Sequence, residues 1–520
     1  MSQLDKPNLV IPLASSYDQR GINGLEILAD SLDQRKINCM YQVIDNSLTG
    51  KRTIKLVKRP GLQAAASVSG PSSLSDQYLL CLKPNLVLSD DPGTSWVFYA
   101  LAAGGETDIY VADSSGNTKI YDDDVGGAAP YYPRWVSLTS VSGTDYAVLQ
   151  LQQTAGVQKV FFASARNSWT EITDADFTGL SEVGQMAFKD GYAFVISSDT
   201  NRIHQSDANS LSAWTSGQYI TRSFTQDPGA GLAQLGQQII GFGTETMEAF
   251  YNAGNASGSV LSKIPQLAFR IGLPNLNYID RHYYCTSGAL MYFLGHQPGT
   301  PTEIGVFAYN GSSHPEKVSP PAVDACLSSV GTNYGTLASG VSIWATSIRG
   351  QPAISVSAIG ATESKWFMFF PKLNAWFEWT SDYYQPVTNG YYFLGKDASD
   401  ACARLGAVEY GTDSWADEGA TLTTNPTTTV QFKLPSDGNY RKRMPVCGVI
   451  GDTARSASTL GVEFSDDDGQ TWSTARNIDM TQVAKKHLYR CGAYTDRWVR
   501  LTHTGNVELR LDKFLARIDD

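Results

Sequence analysis

The residues best suited to chemistry form one compact run, Ser465-Asp466-Asp467-Asp468-Gly469-Gln470-Thr471-Trp472, which fits the Asp-box pattern S-x-D-x-G-x-T-W. Residue types at this spacing describe a hairpin turn. Ser465 opens it, Asp467 accepts turn amides, Gly469 takes positive φ, Thr471 continues the second strand, and Trp472 folds back as an apolar cap. Such a box braces a fold and does no catalysis itself. Cleaving a glycosidic bond would require, in addition, two carboxyl groups facing each other across a sugar. The consecutive acids on offer, Asp90-Asp91 and Asp122-Asp123-Asp124, stand among Gly, Ser and Pro and read as solvated loops.

Asp boxes recur in sialidases and related glycosidases, which also gather arginines around the substrate's carboxylate. Arg270, Arg281 and Arg349 are available for such a cluster only if the fold brings them to one axis. Nucleophile and metal patterns are missing: there is no GxSxG elbow, Walker loop or HExxH, and the six histidines are scattered. His282 and Cys285 form a lone HxxC that reads as core and edge. Gly241-Phe242-Gly243 has no helix after it and reads as a turn rather than a phosphate cradle. No catalytic residue, metal ligand or cofactor is expected, and the chain reads as a non-enzyme.

Two basic groups remain as candidate interfaces. Lys51, Arg52, Lys55, Lys58 and Arg59 lie in one alternating, strand-like segment that closes at Pro60-Gly61, and Arg441, Lys442 and Arg443 follow Tyr440. Each group suits DNA or an acidic protein surface; equally, the first suits a solvated edge strand whose cations deter edge-to-edge pairing. The whole chain is acidic, with 40 Lys and Arg against 51 Asp and Glu and a net charge of −11. That balance disfavours a protein built to grip phosphates and suits a conduit past which nucleic acid slides. Seven dispersed cysteines without a CxxC pair read as buried reduced thiols of a chain made in a cytoplasm, with disulfides or metal ligation as the lesser alternative. No apolar run approaches the ~18 residues of a membrane span, and the opening residues lack a signal core.

The elements that carry these residues are strands. Between Ser95 and Thr412 the chain repeats an aromatic-rich run, a polar turn and a second run. Clear copies run from Val160-Phe161-Phe162 to Trp169, Arg202-Ile203-His204 to Trp214, Gly305-Val306-Phe307 to Val318, and Trp366-Phe367-Met368 to Trp376. Looser copies start at Ile109, Met247 and Leu405. A spacing of about 40 to 60 residues is that of propeller blades. The fold predicted is all-β, a β-propeller of five to seven blades with an appended C-terminal β-sandwich-like domain. The expected division is an N-terminal arm and basic strand over 1–65, the propeller over 66–413 and the C-terminal β domain over 414–520. Gln19 to Ala29 reads as a short helix or extended arm, and Ala64 to Ser75 as a linker. Trp169, Trp214, Trp376 and Trp472 are expected to stiffen blade or turn ends.

The order of features resembles the packaged-DNA-stabilisation, or tail-hub nozzle, proteins of short-tailed bacteriophages. The likeness is carried by Lys55-Leu56-Val57-Lys58-Arg59-Pro60-Gly61-Leu62, by Ile239-Ile240-Gly241-Phe242-Gly243 through Tyr251, by Gln266 to Leu273 with Ala289 to Gly295, and by Phe464 to Gly469 through Arg497-Trp498-Val499-Arg500-Leu501 to Ile518. The resemblance implies a structural protein of the virion tail, assembled in the host cytoplasm. It implies a homo-hexamer below the portal and its adaptor ring that docks tail fibres or spikes, retains packaged double-stranded DNA and passes it without sequence-specific binding. The competing expectations are a sialidase-like propeller glycosidase and a propeller that binds glycan or protein.

Overall fold

Aromatic and β-branched runs separated by polar turns have only one way to bury their apolar faces here, as small sheets stacked side by side. The computed structural model describes residues 9–13, 35–46, 51–67, 79–82, 96–103, 106–113, 116–122, 131–153, 158–180, 184–274, 283–299, 303–331, 340–359, 364–381, 384–385, 392–395, 404–408, 415–418, 423–435, 440–483 and 486–519. Seven four-stranded antiparallel blades are seen among these residues. They span 79–121, 131–171, 187–221, 229–269, 284–317, 340–379 and, for the seventh, 384–408 together with Leu62–Ser67. Each of the seven sequence phrases starts on the third strand of its own blade. The fold is an all-β propeller.

Tight turns set the blades' registers. Asp190 and Gly191, with φ of 51° and 81°, join Ala187–Lys189 to Tyr192–Ile196, the left-handed pair that matches strand twist in a two-residue hairpin. Asn389-Gly390, a turn of the same kind in the sequence, lies outside the described residues. Neighbouring blades share cores: Phe98 and Val111 of the first pack with Leu149 and Phe161 of the second. Trp135 and Val160 meet Val195 and Trp214, and Phe194 and Ile203 meet Leu232 and Phe250. A larger cluster joins blades four, five and six. Into it the helix Pro321–Gly331 inserts Val323 and Leu327, an element the strand rhythm hides because it occupies one link between blades.

The tryptophans act in two ways. Trp169 and Trp214 follow the third strand of their blades and donate their indole N–H to the carbonyl three residues back, Arg166 at 2.7 Å and Leu211 at 3.1 Å. Trp376 instead bridges blades, stacking on Phe369 at 4.7 Å and donating to the Val318 carbonyl at 3.0 Å.

The ends of the chain pair differently from the expected division. Cys39–Asn46 and Lys51–Lys58 lie in one sheet with Lys442–Gly451, His487–Tyr489 and Arg510–Asp519. Leu9–Pro12 pairs with the last of these. The opposing sheet holds Thr428–Lys433, Trp498–His503, Thr459–Ser465 and Arg476–Asp479. The core between the two includes Tyr41, Phe432, Val499 and Phe514. The N-terminal strands are thus part of the appended sandwich rather than a separate arm. Ala64 to Ser67, read as linker, are in the strand that seals blade seven against Arg404–Val408. Residues 68–75 and the segment 19–29 lie outside the described residues. Arg35–Ile37 joins the two bodies, pairing in parallel with Ala375–Trp379 of blade six and antiparallel with Thr428–Lys433. No helix among the described residues is long and apolar enough to cross a membrane.

Where the chain leaves the sandwich for blade seven, Arg59 is wholly buried against Asp417. All five of its N–H donors are used. They reach Asn38 Oδ1, the Pro60 and Thr380 carbonyls and both Asp417 oxygens, the last at 2.8 and 2.6 Å. A Cβ on Gly61 would stand 2.0 Å from the Ala416 carbonyl oxygen, so only glycine lets the two segments cross there. Removing one member of a buried pair leaves the other charge uncompensated, at a cost of about 3–5 kcal/mol. Asp417→Ala should therefore lower the unfolding free energy by that order, read as a lower chemical-denaturation midpoint, and adding Arg59→Met should recover part of the loss. An unchanged midpoint for the single variant would show that the joint does not depend on the pair.

Candidate interface site

Lys51–Lys58 was expected at an exposed edge but is bordered on both sides, by Cys39–Asn46 and by Arg510–Asp519. Lys55 is paired with Asp452 and lies 3.9 Å from Asp512. Lys58 is buried and donates its Nζ to the Gly505 carbonyl at 2.7 Å. Burial, reinforced by Arg59 and opposed by Asp417, pushes its ammonium down to about 8. Lys58 and Arg59 are thus corrected from interface candidates to internal braces. The alternation identified the strand, and the fold placed the Gly505 carbonyl that takes Lys58 and the Asp417 carboxylate that takes Arg59 more than three hundred residues away. The side chains of Lys51 and Arg52 lie outside the described residues. Arg441 and Arg443 are exposed, Lys442 is half-buried and Tyr440 is 73% exposed, so this second group does present charge to solvent.

The arginines considered for a carboxylate cluster are not brought together. Arg270 is exposed just after blade four's last strand, and Arg281 lies outside the described residues. Arg349 sits over the Trp415 ring at 4.4 Å and 3.8 Å from Glu508, tying propeller to sandwich beside a cleft of about 860 Å³. The first strands of consecutive blades line a hub cavity of about 360 Å³, from Trp135 through Lys189 and Gln234 to Tyr284. Its one acidic lining residue among those described, Asp190, is 3.3 Å from Lys189. Of the consecutive acids, Asp122 pairs with Lys119 at 3.0 Å; Asp90, Asp91, Asp123 and Asp124 lie outside the described residues. His282 does too, while Cys285 stands in the strand Tyr284–Ser287, its thiol pushed up by burial.

The Asp box links Thr459–Ser465 to Arg476–Asp479. Ser465 Oγ donates to Asp467 at 2.7 Å and accepts the Gly469 N–H at 2.9 Å, and Gly469 has φ of 84°. Thr471 donates both its N–H and its hydroxyl to the Asp467 carboxylate. These bonds, Ser465's first, hold that carboxyl down to about 2. Thr471 lies in the bend itself, not in the second strand as expected, because its hydroxyl is engaged by Asp467. Trp472 donates to the Gly469 carbonyl at 3.1 Å, repeating the three-residue closure of Trp169 and Trp214, and its ring carries the Arg500 guanidinium at 4.2 Å. Arg500 is in turn held bidentately by Glu463. The box is a structural clasp.

Sequence reasoning missed a second buried brace. Arg222, in the link from blade three to blade four, meets Asp227 at 3.1 Å and Thr246 Oγ1 at 2.6 Å, while Glu248 accepts the Ser223 and Phe224 amides. Gly241 and Gly243 belong to a strand, not to the turn expected of them. A Cβ on Gly243 would stand 2.0 Å from Asp227 and 2.4 Å from Arg222, so the glycine doublet was the available signal.

Two outcomes are expected. Trp472→Ala should destabilise by about 1–2 kcal/mol, from one lost hydrogen bond and one cation–π contact, read as a lower melting temperature; equal melting would mean the indole is not bracing the turn. His503 is buried with Nε2 3.0 Å from Ser458 Oγ. Burial first, then Lys58, pushes it from the ordinary 6.5 to about 4. Its neutral form is the folded one, so its contribution is fully present above pH 6.5 and is lost as pH falls through about 4. Denaturant midpoints should decline over that window, and His503→Gln should flatten the decline; an identical pH slope in the variant would exclude His503 as its source.

A sequence model of the family described as Bacteriophage P22 Gp10, beta-propeller, matches residues 134–338. No curated protein matches the sequence. Among solved structures, an exo-β-1,3-galactanase from Phanerochaete chrysosporium is 9% identical with a TM-score of 0.31, covering 73% of this chain and 95% of that one. A six-bladed fucose-recognising lectin from Aleuria aurantia is 11% identical at 0.32, covering 59% and 96%. A glycoside hydrolase family 43 arabinoxylan arabinofuranohydrolase from Bacillus subtilis is 11% identical at 0.28, covering 86% and 96%. TM-scores this low carry no argument about activity or ligand. The family match spans blades two to five, so over those residues the chain is similar to the bacteriophage packaged-DNA-stabilisation propeller, which supports the recognition drawn from turn and strand phrases.

Proposed function

We propose that the chain is a tail nozzle, a subunit of a hexameric tube below the portal and adaptor that retains packaged DNA, docks fibres or spikes and conducts DNA at ejection. The observation that carries the reading is the family match over blades two to five. The physical character of the chain supports it. Both of its bodies are sheet, joined by a strand shared between them and by a buried ion pair, the stiffness a conduit under load requires. The net charge of −11 keeps passing phosphates from being held. The role proposed is structural rather than enzymatic: among the described residues lining the hub cavity the one carboxyl, Asp190, stands beside Lys189. Exposed Arg441 and Arg443 are the surface charges assigned to subunit or DNA contact.

Electron microscopy of the purified protein, alone and with portal and adaptor, tests the reading. A sixfold ring with an axial hole is expected, and Arg441→Ser with Arg443→Ser should reduce ring formation or DNA retention without lowering the melting temperature. A particle that stays monomeric with portal and adaptor present would overturn the nozzle. Intact rings and full retention in the double variant would remove those arginines from the interface.

A further inference from the structure

Two thiols in the sandwich stand apart from the other described cysteines. Cys447, wholly buried on Lys442–Gly451, has its Sγ 3.4 Å from the Sγ of Cys491. Backbone bonds hold the two segments together: the Cys491 N–H donates to the Met444 carbonyl at 3.0 Å, and the Met444 N–H to the Gly492 carbonyl at 2.8 Å. The pair is thus positioned by the sheet and not by chance rotamers. Arg476 supplies the second observation. Its guanidinium lies 3.9 Å from Cys491 Sγ and is fixed there by the Tyr489 and Arg490 carbonyls. Arg497, which donates to the Cys491 carbonyl, adds a second positive group nearby.

We propose that Cys447 and Cys491 are a redox-closed staple, a dithiol that a hydroperoxide converts to a disulfide within the folded sandwich. Cys491 is the attacking sulfur. A hydrogen bond from Cys447, and then Arg476, lower its thiol, whereas the same bond and burial raise that of Cys447. The Cys491 thiolate attacks one peroxide oxygen, the O–O bond breaks, and the departing hydroxide takes up the proton Cys491 released. The Cys447 sulfur then attacks the Cys491 sulfenic acid, forming the S–S bond as the S–O bond breaks. Water leaves with the Cys447 proton, so two thiols and one hydrogen peroxide give one disulfide and two waters. The bond would tie the strand bearing Cys447 to the segment ahead of Ala493–Tyr494, closing a loop that contains the Asp box. Cys39, buried with its thiol pushed up to about 12 by desolvation, is the internal control that should stay reduced.

The test is peroxide treatment of the full folded chain, followed by alkylation in denaturant and tryptic mass mapping. The expected product joins peptide 444–455 to peptide 491–497, two hydrogens lighter than the sum of the free peptides and separated by dithiothreitol, with Cys39 alkylated. Oxidised protein should melt several degrees higher than reduced. Cys447→Ser should instead accumulate a Cys491 sulfenic acid that a dione reagent traps. Recovery of both peptides alkylated, or of Cys491 sulfinic acid without the cross-link in wild-type protein, would overturn the proposal.

Discussion

Arg59 and Asp417 are 358 positions apart in sequence and share two hydrogen bonds in a site closed to solvent. The chain enters blade seven just after Arg59 and reaches the sandwich again just after Asp417, so both passages between the two bodies run through one ion pair. Its charges are tolerable there only because every donor of the guanidinium is matched and Asp417 also takes the Leu62 amide and the Ser381 hydroxyl. Asn38, at positive φ, receives Arg59 on its side-chain oxygen and donates from the same amide to Thr380 and the Thr427 carbonyl. Blade six, blade seven and the sandwich are thereby held at one point.

The propeller uses the same logic at smaller scale. Arg222 anchors the link between blades three and four to a carboxylate and a threonine, and glycine opens the space it fills. Elsewhere turns between neighbouring strands are closed by indoles. Trp169, Trp214 and Trp472 each return a hydrogen bond to the carbonyl three residues earlier, though only the last sits in a full Asp box. One turn device therefore serves propeller and sandwich alike, and only its best-spelled copy shows in the letters.

What the sequence disclosed was local, and what it concealed was pairing. Aromatic phrases such as Trp366 to Phe370 announced the third strand of every blade because alternation and turn residues are written within a dozen positions. The same alternation in Lys51–Lys58 could not say that the strand's neighbours are Cys39–Asn46 and the C-terminal strand, so Lys58 and Arg59 read as surface. Arg441 and Arg443 kept their exposed character because they flank the first residue of the strand Lys442–Gly451. The helix Pro321–Gly331 was masked by the strand rhythm around it, although Pro320-Pro321 with Val323 and Leu327 four apart was a helical signature. Cys447 and Cys491 are 44 positions apart, with no motif to connect them.

Leu62–Ser67 seals a blade whose other three strands lie beyond residue 383. On a ribosome that segment emerges early and must wait while more than three hundred residues are added, on the order of tens of seconds at ordinary elongation rates. Six blades can assemble vectorially in the meantime, but the circle has an open seam until Arg404–Val408 arrives. The unpaired strand edge left at that seam marks the stage at which nascent chains are most open to mispairing with one another, and at which a chaperone would have most to protect.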